Sequence, residues 1–424
     1  MEISPPQLLI LARAPEAFCE LFGVSLLERL LRVVQRLGFR EALILSESID
    51  EVSAHLAPPS WARADVALRF RPQIARAARI SEVATGAERT LVVSAGYYYD
   101  ARLLKTLAGQ AATTLLIDSA PPPASVELWS GHGGVFNAAA LVDRDWLSRQ
   151  DHSTGLMDQL SSDAAAGRIA SCDAARQPTY IVGLRKHVRP VFFPAPPANL
   201  TAAAEKFPRD LAQNGVLDFP GLLDSPIEDW IIARLCRTSI TPNQITLFTM
   251  LIGLAVTALF AMGHLWFGVA LAYAIEVLDG VDGKLARTKV ETTAAGDWEH
   301  VTDYVIELSW WTALAWHFHG AGLRHAFALL LLLVGSDILD RLAKRAVKQK
   351  VGRNLDDVSD FDRFVRCIGG RRNINVWILI AALALGDAAN GFVLICCWTA
   401  ATAAAHTVRA LQIRLFKTAP NLTA

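Results

Sequence analysis

Apolar residues follow two different patterns in the two halves of the chain. In the first half, short apolar runs at 8–12, 42–45, 90–95 and 114–118 alternate with segments of helical spacing, such as residues 24–38. A short apolar run predicts a buried strand, whereas apolar positions at i, i+3 and i+4 predict a helix. Strands that alternate with helices predict an α/β domain with a mostly parallel sheet.

From residue 243 onward, long apolar runs dominate the sequence. A helix that crosses a bilayer needs roughly 20 apolar residues. Six segments approach that length, and the last two are marginal on their own. They lie near residues 245–262, 265–281, 301–319, 322–340, 374–388 and 391–412. The pattern predicts an all-α polytopic membrane domain of six transmembrane helices.

The junction between the halves is rich in proline and short polar turns, which are typical of a linker. Residues 226–239 have apolar and basic positions that suit a helix lying at the bilayer surface. We therefore expect a cytoplasmic domain over residues 1–205, a linker with a juxtamembrane amphipathic helix over 206–242, and a membrane domain over 243–416.

Basic residues mark one side of the predicted membrane domain. Segments 284–289 and 341–372 and the C-terminal region carry several Lys and Arg residues, whereas 262–264 and 386–391 carry none. Loops rich in Lys and Arg stay on the cytoplasmic side. The sequence thus predicts both termini, the soluble domain and the acidic motif on that side. The N-terminal residues lack the pattern of a signal peptide.

Charge and cysteine content exclude several classes of function. Lys plus Arg (41) balances Asp plus Glu (41), and no basic domain of the kind that binds a phosphate backbone is present. We expect no nucleic-acid partner. The six cysteines form no C-x-x-C pair and no zinc-type spacing with histidine, so a zinc site is not expected.

Carboxylates are concentrated where two predicted membrane helices begin or end. Asp279 and Asp282 are three residues apart and share a face if the helix continues to 282. Glu299, Asp303 and Glu307 follow at intervals of four. Ionisable groups in this zone cost about 2.5–3.5 kcal/mol each. Divalent metal would offset that cost, and hard oxygen ligands suit Mg²⁺ or Mn²⁺.

The stretch D-G-V-D-G-K-L-A-R at 279–287 resembles the signature of the CDP-alcohol phosphotransferase (CDP-alcohol phosphatidyltransferase) family, D-x-x-D-G-x-x-A-R. The resemblance covers roughly residues 225–415, including I-T-P-N-Q-I-T at 240–246. The invariant positions of the motif are matched at Asp279, Asp282, Gly283, Ala286 and Arg287.

The second part of the family signature, G-x-x-x-D-x-x-x-D, is matched less well. One register places its acidic positions at His300 and Tyr304, and the other at Glu299 and Asp303. We prefer the second register because it keeps two carboxylates on one helical face. Glu then replaces an Asp, and Gly296 is displaced by one residue. His300 is adjacent and is a further candidate ligand.

The resemblance implies an enzyme in which an alcohol attacks the β-phosphorus of a CDP-alcohol and CMP leaves. Asp303 would be the base, and two Mg²⁺ or Mn²⁺ ions would be held by Asp279, Asp282, Glu299 and Asp303. Gly283 and Ala286 permit close approach of the nucleotide, and Arg287 suits a diphosphate.

Partners and an alternative function follow from the same resemblance. The partners would be a CDP-alcohol donor, an alcohol or phospho-alcohol acceptor and membrane lipids, with a homodimer as the family's usual assembly. The product would be a phospholipid or a polar phosphodiester. A catalytically inactive membrane scaffold that keeps the fold is the alternative, because Glu299 departs from the family pattern.

The first half resembles the nucleotidyltransferases through F-G-V-S-L-L-E-R at 22–29. The preceding loop, residues 12–21, contains no glycine, so its backbone cannot approach a triphosphate in the usual way. Ala95 or Gly96 occupies the position where that family has a metal-binding Asp, and Asp100 lies further along. We expect a nucleotidyltransferase-like domain without activity; a divergent active enzyme and an unrelated α/β domain are the alternatives.

The two resemblances together imply an architecture like that of the bifunctional inositol-phosphate cytidylyltransferase and di-inositol-phosphate-phosphate synthase. Arg371 and Arg372 are candidates for binding an acceptor's phosphate, although marking the cytoplasmic side is an equally good role. Asp337 and Asp340 are expected to pair with Lys344 or Arg345 rather than with metal.

Overall fold

The computed structural model describes most of the chain, in two compact units. The first unit comprises residues 1–180, 188–211 and 288–291, and the second comprises 181–187, 212–287 and 292–424. Side chains of Trp61 and of residues 296–300 are not among those described. The described residues are 5–72, 87–129, 138–150, 155–291 and 296–415.

Strands in the described residues are short and lie before residue 195. They are β1 (Gln7–Leu11), β2 (Glu20–Leu21), β3 (Val24–Ser25), β4 (Glu41–Ser46), β5 (Ala67–Pro72), β6 (Arg89–Ser94), β7 (Tyr97–Tyr99), β8 (Thr114–Ile117), β9 (Ala139–Asp143), β10 (Ala170–Asp173), β11 (Tyr180–Ile181), β12 (Lys186–His187) and β13 (Phe192–Pro194).

Seven of these strands form the central sheet of the first unit, in the order β10-β8-β9-β6-β1-β4-β5. β1 pairs in parallel with β4 and β6, while β9 runs antiparallel to β6 and β8. Strand residues such as Leu9, Ile44 and Val92 are fully buried, which explains their continuous apolar runs. The mostly parallel α/β sheet expected from the sequence is confirmed.

Helices in the first half pack on this sheet. Ser25 begins the first of them, since its hydroxyl accepts a hydrogen bond from the amide of Glu28. The helices are α1 (Leu26–Arg36), α2 (Ile49–Leu56), α3 (Ala101–Ala108), α4 (Pro123–Trp129), α5 (Arg144–Ser148), α6 (Leu156–Ala165) and α7 (Thr201–Ala212). Short 3₁₀ turns occupy Glu16–Phe18, Trp61–Arg63, Ala174–Arg176, Ala198–Leu200 and Leu355–Asp357.

Four residues from much later in the sequence, Thr288–Glu291, belong to the first unit. Val290 has a positive φ of 57° and is part of the unit's main hydrophobic core. Arg32 on α1 donates to the carbonyl of Lys289 at 2.8 Å and to the carboxylate of Glu291 at 2.9 Å. The segment is therefore held by both apolar burial and a buried ion pair.

The second unit is helical. Its helices are α8 (Phe219–Leu235), α9 (Pro242–Ala261), α10 (Leu265–Thr288, whose last residue is counted with the first unit), α11 (Gly296–Gly320), α12 (Ala326–Val351), α13 (Asp360–Ile368), α14 (Arg372–Ala384) and α15 (Ala388–Leu415). Each of the six predicted apolar segments overlaps one of the helices from α9 to α12, α14 and α15. Trp310, Phe260 and Phe392 lie at the centre of their shared core.

Two helices in the described part of the chain, α9 and α15, are long and apolar enough to cross a membrane, and α14 is apolar but shorter. The helices α10, α11 and α12 are of similar length, at 24, 25 and 26 residues, and carry more charged residues. The helical character of the second half is thus confirmed, and the number of crossings stays a prediction.

The structure differs from the sequence expectation at two helices. α8 begins at Phe219 and not at 226, because Asp218 caps it by accepting from the amide of Gly221 at 3.1 Å. Pro220 lies in its first turn, where a missing amide hydrogen costs nothing. α13 lies in a basic stretch that we read as a loop.

Candidate active site

The two aspartates of D-G-V-D-G-K-L-A-R lie on one continuous helix. α10 runs unbroken to Thr288, so Asp279 and Asp282 project from the same face, as predicted. Asp282 is buried and Asp279 is partly exposed. Thr246 on α9 donates its hydroxyl to Oδ2 of Asp282 at 3.0 Å. The hydroxyl fixes the rotamer of this carboxylate.

The start of α9 explains how Thr246 reaches that position. Thr241 and Gln244 form a reciprocal capping box, and Pro242 occupies the first turn. The I-T-P-N-Q-I-T stretch therefore sets the start of the helix and places a hydroxyl one turn later beside α10. The sequence indicated the family through this stretch, but the contact between Thr246 and Asp282 could be found only from the structure.

The second half of the predicted motif lies on α11. Asp303 is half-buried, and Glu307 follows one turn later. The side chains of Glu299 and His300 lie outside the described residues, so the register preferred above is untested. Asp303 and Glu307 both line a polar cleft.

Arg372, the first residue of α14, lies among these carboxylates. Its guanidinium donates to Oδ2 of Asp279 and lies in the electrostatic field of Glu307 and Asp303. It also lies 6.0 Å from the ring centroid of Trp310. Sequence reasoning proposed Arg372 for an acceptor's phosphate and missed its contact with Asp279. The two residues are 93 positions apart, and no local pattern connects them.

The polar cleft has a volume of about 360 Å³. Both basic and acidic side chains line it. The basic residues are Arg341, Lys344, Arg366, Arg371 and Arg372, and the acidic residues are Asp218, Asp303, Glu307, Asp337 and Asp340. Nη1 of Arg371 is buried and has no protein hydrogen-bond partner among the described residues. Such a donor is suited to an anionic ligand.

Ion pairs hold several of the cleft's side chains in place. Asp337 pairs with Arg341 at 2.8 Å, and Asp340 pairs with Lys344 at 2.7 Å. The expected pairing of Asp340 with Lys344 is confirmed, whereas Asp337 pairs with Arg341, which the sequence analysis did not name. The carboxylate of Asp340 is also in contact with Nδ1 of the buried His406.

α8 is attached to the motif helix by buried polar contacts. Lys284 of α10 binds Glu228 at 2.7 Å and Asp229 at 2.9 Å. Tyr273 donates to Asp224 at 2.8 Å. Gly280 permits this approach, since a Cβ there would lie 2.0 Å from Oε1 of Glu228.

Burial perturbs the carboxylates that α8 contributes. Desolvation raises the pKa of Glu228, and the charges of Asp224 and Asp229 act in the same direction, although Lys284 opposes them. Desolvation also raises the pKa of Asp224, assisted by Asp218. The raised pKa values of Glu228 and Asp224 mean that both carboxyl groups bind protons more readily than usual.

The other motif residues lie beside one another on α10. Nε of Arg287 donates to the carbonyl of Ala212 at 2.6 Å, which orients the guanidinium. A Cβ at Gly283 would lie 3.2 Å from that guanidinium. Ala286 is half-buried. The surface between Gly283 and Arg287 is therefore shallow and carries one cation.

The carboxylates present fit a divalent metal by donor chemistry. Asp279 and Asp282 offer hard oxygen ligands on one face, and the position beside Asp279 already accommodates a cationic group, the Arg372 guanidinium. Among the described side chains, no three His, Cys, Asp or Glu residues are grouped closely enough to hold a metal. Glu299, the further ligand that the sequence predicts, is outside that set, so its role stays a prediction.

The first unit shows a different use of the residues that resemble a nucleotidyltransferase site. Asp100 caps α3 and pairs with Arg102 at 2.7 Å. The 12–21 loop lies against Gly96, since a Cβ there would be 3.0 Å from Cβ of Glu16. These contacts engage the loop and Asp100 in packing.

Comparison with known families agrees with the motif. Residues 239–334 match the family model described as CDP-alcohol phosphatidyltransferase. The matched stretch contains Asp279, Asp282 and Asp303. The family resemblance expected from D-G-V-D-G-K-L-A-R is thereby confirmed for this part of the chain.

Two curated proteins described as bifunctional IPC transferase and DIPP synthase are similar to part of this chain. The protein from Aquifex aeolicus is 38% identical over 78 residues, which are 18% of each chain. The protein from Thermococcus kodakarensis is 31% identical over 103 residues, or 24% of each chain. The chain thus spans less than a quarter of the length of either relative.

Two solved structures have weak similarity to part of this chain. Phosphatidylinositol phosphate synthase from Mycobacterium tuberculosis with CDP-DAG bound is 19% identical, with a TM-score of 0.35, and the match covers 47% of this chain and 98% of that one. A putative glucose-1-phosphate thymidylyltransferase from Bacillus anthracis is 10% identical, with a TM-score of 0.34, covering 47% and 94%.

Proposed function

We propose that this protein, whose residues 239–334 match the CDP-alcohol phosphatidyltransferase family, transfers a phospho-alcohol group from a CDP-alcohol to an acceptor hydroxyl and releases CMP. The observation that supports this most is the single face of α10 that presents Asp279 and Asp282. Their neighbours Thr246 and Arg372 hold both carboxylates in defined positions. The product is a phospholipid or a polar phosphodiester.

The proposed site divides the work between metal and protein. Asp279, Asp282, Glu299 and Asp303 would hold two Mg²⁺ or Mn²⁺ ions, which neutralise a diphosphate and stabilise charge on the leaving CMP. Arg287 would bind diphosphate oxygens, and the missing side chain at Gly283 lets its guanidinium lie close to the helix.

The proposed reaction is a direct displacement at phosphorus. The acceptor oxygen attacks the β-phosphorus, the bond from that phosphorus to the bridging oxygen breaks, and its electron pair leaves with CMP. Asp303 takes the proton of the attacking hydroxyl. Its half-buried carboxylate faces the polar cleft, which is the natural path for a polar acceptor.

The cleft favours an acceptor that carries a phosphate. Five basic side chains line it, and the buried Nη1 of Arg371 has no protein partner there. A hydroxyl oxygen can accept from this donor, but an ionised phosphate oxygen forms a shorter and stronger charge-assisted hydrogen bond with a guanidinium. A phospho-alcohol would supply the missing acceptor atoms, so Arg371 and Arg372 are proposed to bind its phosphate.

The proposed setting is a membrane. Six helices, α9–α12, α14 and α15, are proposed to span it, with both termini and the cleft on the cytoplasmic side and with a homodimer as the assembly. Exposed apolar side chains on these helices support lipid contact, including Leu251 and Leu254 on α9. The first unit is proposed to be a nucleotidyltransferase-like domain without turnover.

CMP release by the purified protein tests the reaction. With Mg²⁺ or Mn²⁺ and a panel of CDP-alcohols, we expect CMP release that requires Asp282 and stops on chelation. Each acceptor is supplied with and without its phosphate group, and the phosphorylated form is expected to react faster. If no donor gives more CMP than the Asp282→Ala variant, the protein is a scaffold and the proposal is wrong.

A further inference from the structure

The short helix α13 has one apolar face, on which two phenylalanines are more than half exposed. The guanidinium of Arg409 lies 5.9 Å from the ring centroid of Phe361, and no such contact is present at Phe364 among the described residues. Phe361 and Phe364 are 55% and 60% exposed, and they lie three residues apart. Val365 and Ile368 continue the same face at helical spacing. Two neighbouring exposed phenylalanines form an apolar patch that is unusual for a nine-residue helix in contact with water.

The opposite face of α13 is fixed to the rest of the second unit. Asp362 is fully buried and receives hydrogen bonds from Arg409 of α15 at 2.9 and 3.0 Å. Arg366, one turn later, lines the polar cleft. The orientation of α13 is therefore set by its polar face, which leaves the phenylalanines pointing outward.

Three contacts define where α13 lies along α15. Arg409 binds Asp362 at the beginning of α13, Trp398 donates to the carbonyl of Ile368 at its end, and Thr402 accepts from the amide of Gly370 just beyond. Since α15 rises 1.5 Å per residue, Trp398 and Arg409 are about 15 and 31 Å from its first residue. α13 thus runs beside the last part of α15.

These distances place α13 within a bilayer, if α15 spans one as proposed above. The hydrocarbon core is about 30 Å thick, so a span that begins at Ala388 reaches the cytoplasmic boundary near Arg409. α14 has only 13 residues, or about 20 Å, and is too short to cross alone. α14 leaves the cytoplasmic third of the bilayer uncrossed, and α13 lies at that level beside α15.

We propose that α13 is inserted in the cytoplasmic leaflet and that Phe361 and Phe364 contact lipid. The fifth crossing is then a broken helix, with α13 and α14 as its two parts and Gly369 and Gly370 at the break. Gly370 approaches α15 closely, since a Cβ there would lie 2.6 Å from Cα of Thr399. In this arrangement α13 is the wall between the polar cleft and the lipid.

Photo-crosslinking in lipid vesicles tests this inference. p-Benzoylphenylalanine replaces Phe361 or Phe364 in the full chain, in vesicles of phosphatidylglycerol and phosphatidylethanolamine, and adducts are identified by mass spectrometry. We expect lipid adducts at both positions. Val126 on α4, which is 48% exposed in the first unit, is the matched position and is expected to give none.

A further position separates failure of this inference from failure of the proposed membrane domain. Leu331 on α12 is 74% exposed and should give lipid adducts if α12 spans the bilayer. Adducts at 331 without adducts at 361 and 364, or crosslinks from these two to a second copy of the chain, overturn the placement of α13. Absence of adducts at all three positions overturns both the membrane domain and the insertion of α13.

Discussion

The carboxylate of Asp282 is held by a hydroxyl from a different helix. Thr246 donates to it at 3.0 Å, in a site where the carboxylate is almost wholly buried. Residues that orient a metal ligand typically change metal affinity by 10–100-fold when they are removed. Thr246 therefore acts as a positioning residue for the proposed metal site.

We expect Thr246→Val to weaken activation of CMP release by Mn²⁺ about tenfold or more, because valine keeps the shape and removes the donor. Titration of activity with Mn²⁺ measures this. Thr249→Val is the control, since Thr249 is also buried on α9 and donates to the carbonyl of Thr246. Equal effects of the two substitutions would show that the Asp282 contact has no special role.

Glu28 offers a pH-dependent prediction in the first unit. Burial alone would raise its pKa, but hydrogen bonds from Ser60 and Arg32 and the charges of Arg32 and Arg63 bring the pKa below its ordinary value. A carboxyl with a lowered pKa stabilises the fold above its unfolded-state pKa, and this stabilisation is lost as the pH falls through the folded-state pKa.

Glu28→Gln should therefore lower the free energy of unfolding by about 1–3 kcal/mol at neutral pH, and by less as the pH falls below about 4. Thermal unfolding of the full chain in detergent, at neutral pH and at a pH below about 4, measures how much stability the substitution removes at each pH. Glu41→Gln is the control, because Glu41 forms a surface pair with Arg69 and its side chain is 62% exposed. A loss that is independent of pH would contradict the ion-pair explanation.

Individual site residues were predictable where a local motif identifies them. Asp279, Asp282, Gly283 and Arg287 follow from nine consecutive letters. The contact between Arg372 and Asp279 could not be predicted from the sequence, because only the packing of α14 beside α10 brings the two residues together. Thr246 lay in a recognised stretch, and the direction of its hydroxyl depended on the capping box that begins α9.

At the scale of elements, the contact between α8 and α10 depends on a missing side chain. The carboxylate of Glu228 lies where a Cβ of Gly280 would be, and Lys284 holds it there. We expect Gly280→Ala to lower the free energy of unfolding by about 1–3 kcal/mol, as overpacking of a filled interior does. The carboxylate of Glu228 would have to move away from Lys284 to make room for the added methyl group.

Thermal unfolding in detergent again provides the measurement for Gly280→Ala. Gly335→Ala on α12 is the matched control, because nothing lies within 4 Å of the added methyl group and the residue is also helical. That substitution should be neutral or slightly stabilising. Similar melting temperatures for the two variants would mean that α8 can move away from α10 without cost.

Element positions were more predictable than their ends. Apolar runs located four of the seven strands of the sheet, β1, β4, β6 and β8, and apolar segments located six helices of the second unit, since burial requires these patterns. The start of α8 was placed seven residues too late, because prolines at 220 and 226 are typical of a linker and here lie inside the helix. α13 was missed because its charged residues hide four apolar positions among nine.

At the scale of the whole molecule, the topology can be tested directly. Leu385 lies in the exposed turn between α14 and α15, and Gln349 lies on the last turn of α12. The distribution of basic residues predicts these positions on opposite sides of the membrane. A membrane-impermeant maleimide should label Leu385→Cys in intact cells and Gln349→Cys only after lysis.

The unmodified chain is the background for that labelling, since its own six cysteines are free thiols in the structure. Labelling of both positions from outside, or of neither, would contradict the single crossing that is predicted between residues 349 and 385. The sequence predicted the sidedness from its loops and the marginal length of the fifth apolar segment, whereas the helix α13 that precedes it became visible only in the structure.

The segment Thr288–Glu291 has a consequence for how the protein is made. The core of the first unit includes Val290, and Arg32 binds Glu291 across 259 positions of sequence. Synthesis proceeds from the N-terminus, so the last pieces of this unit leave the ribosome only after α9 and α10 have been translated. The fold of the first unit can therefore be completed only after α9 and α10, the first two apolar helices of the second unit, have been synthesised.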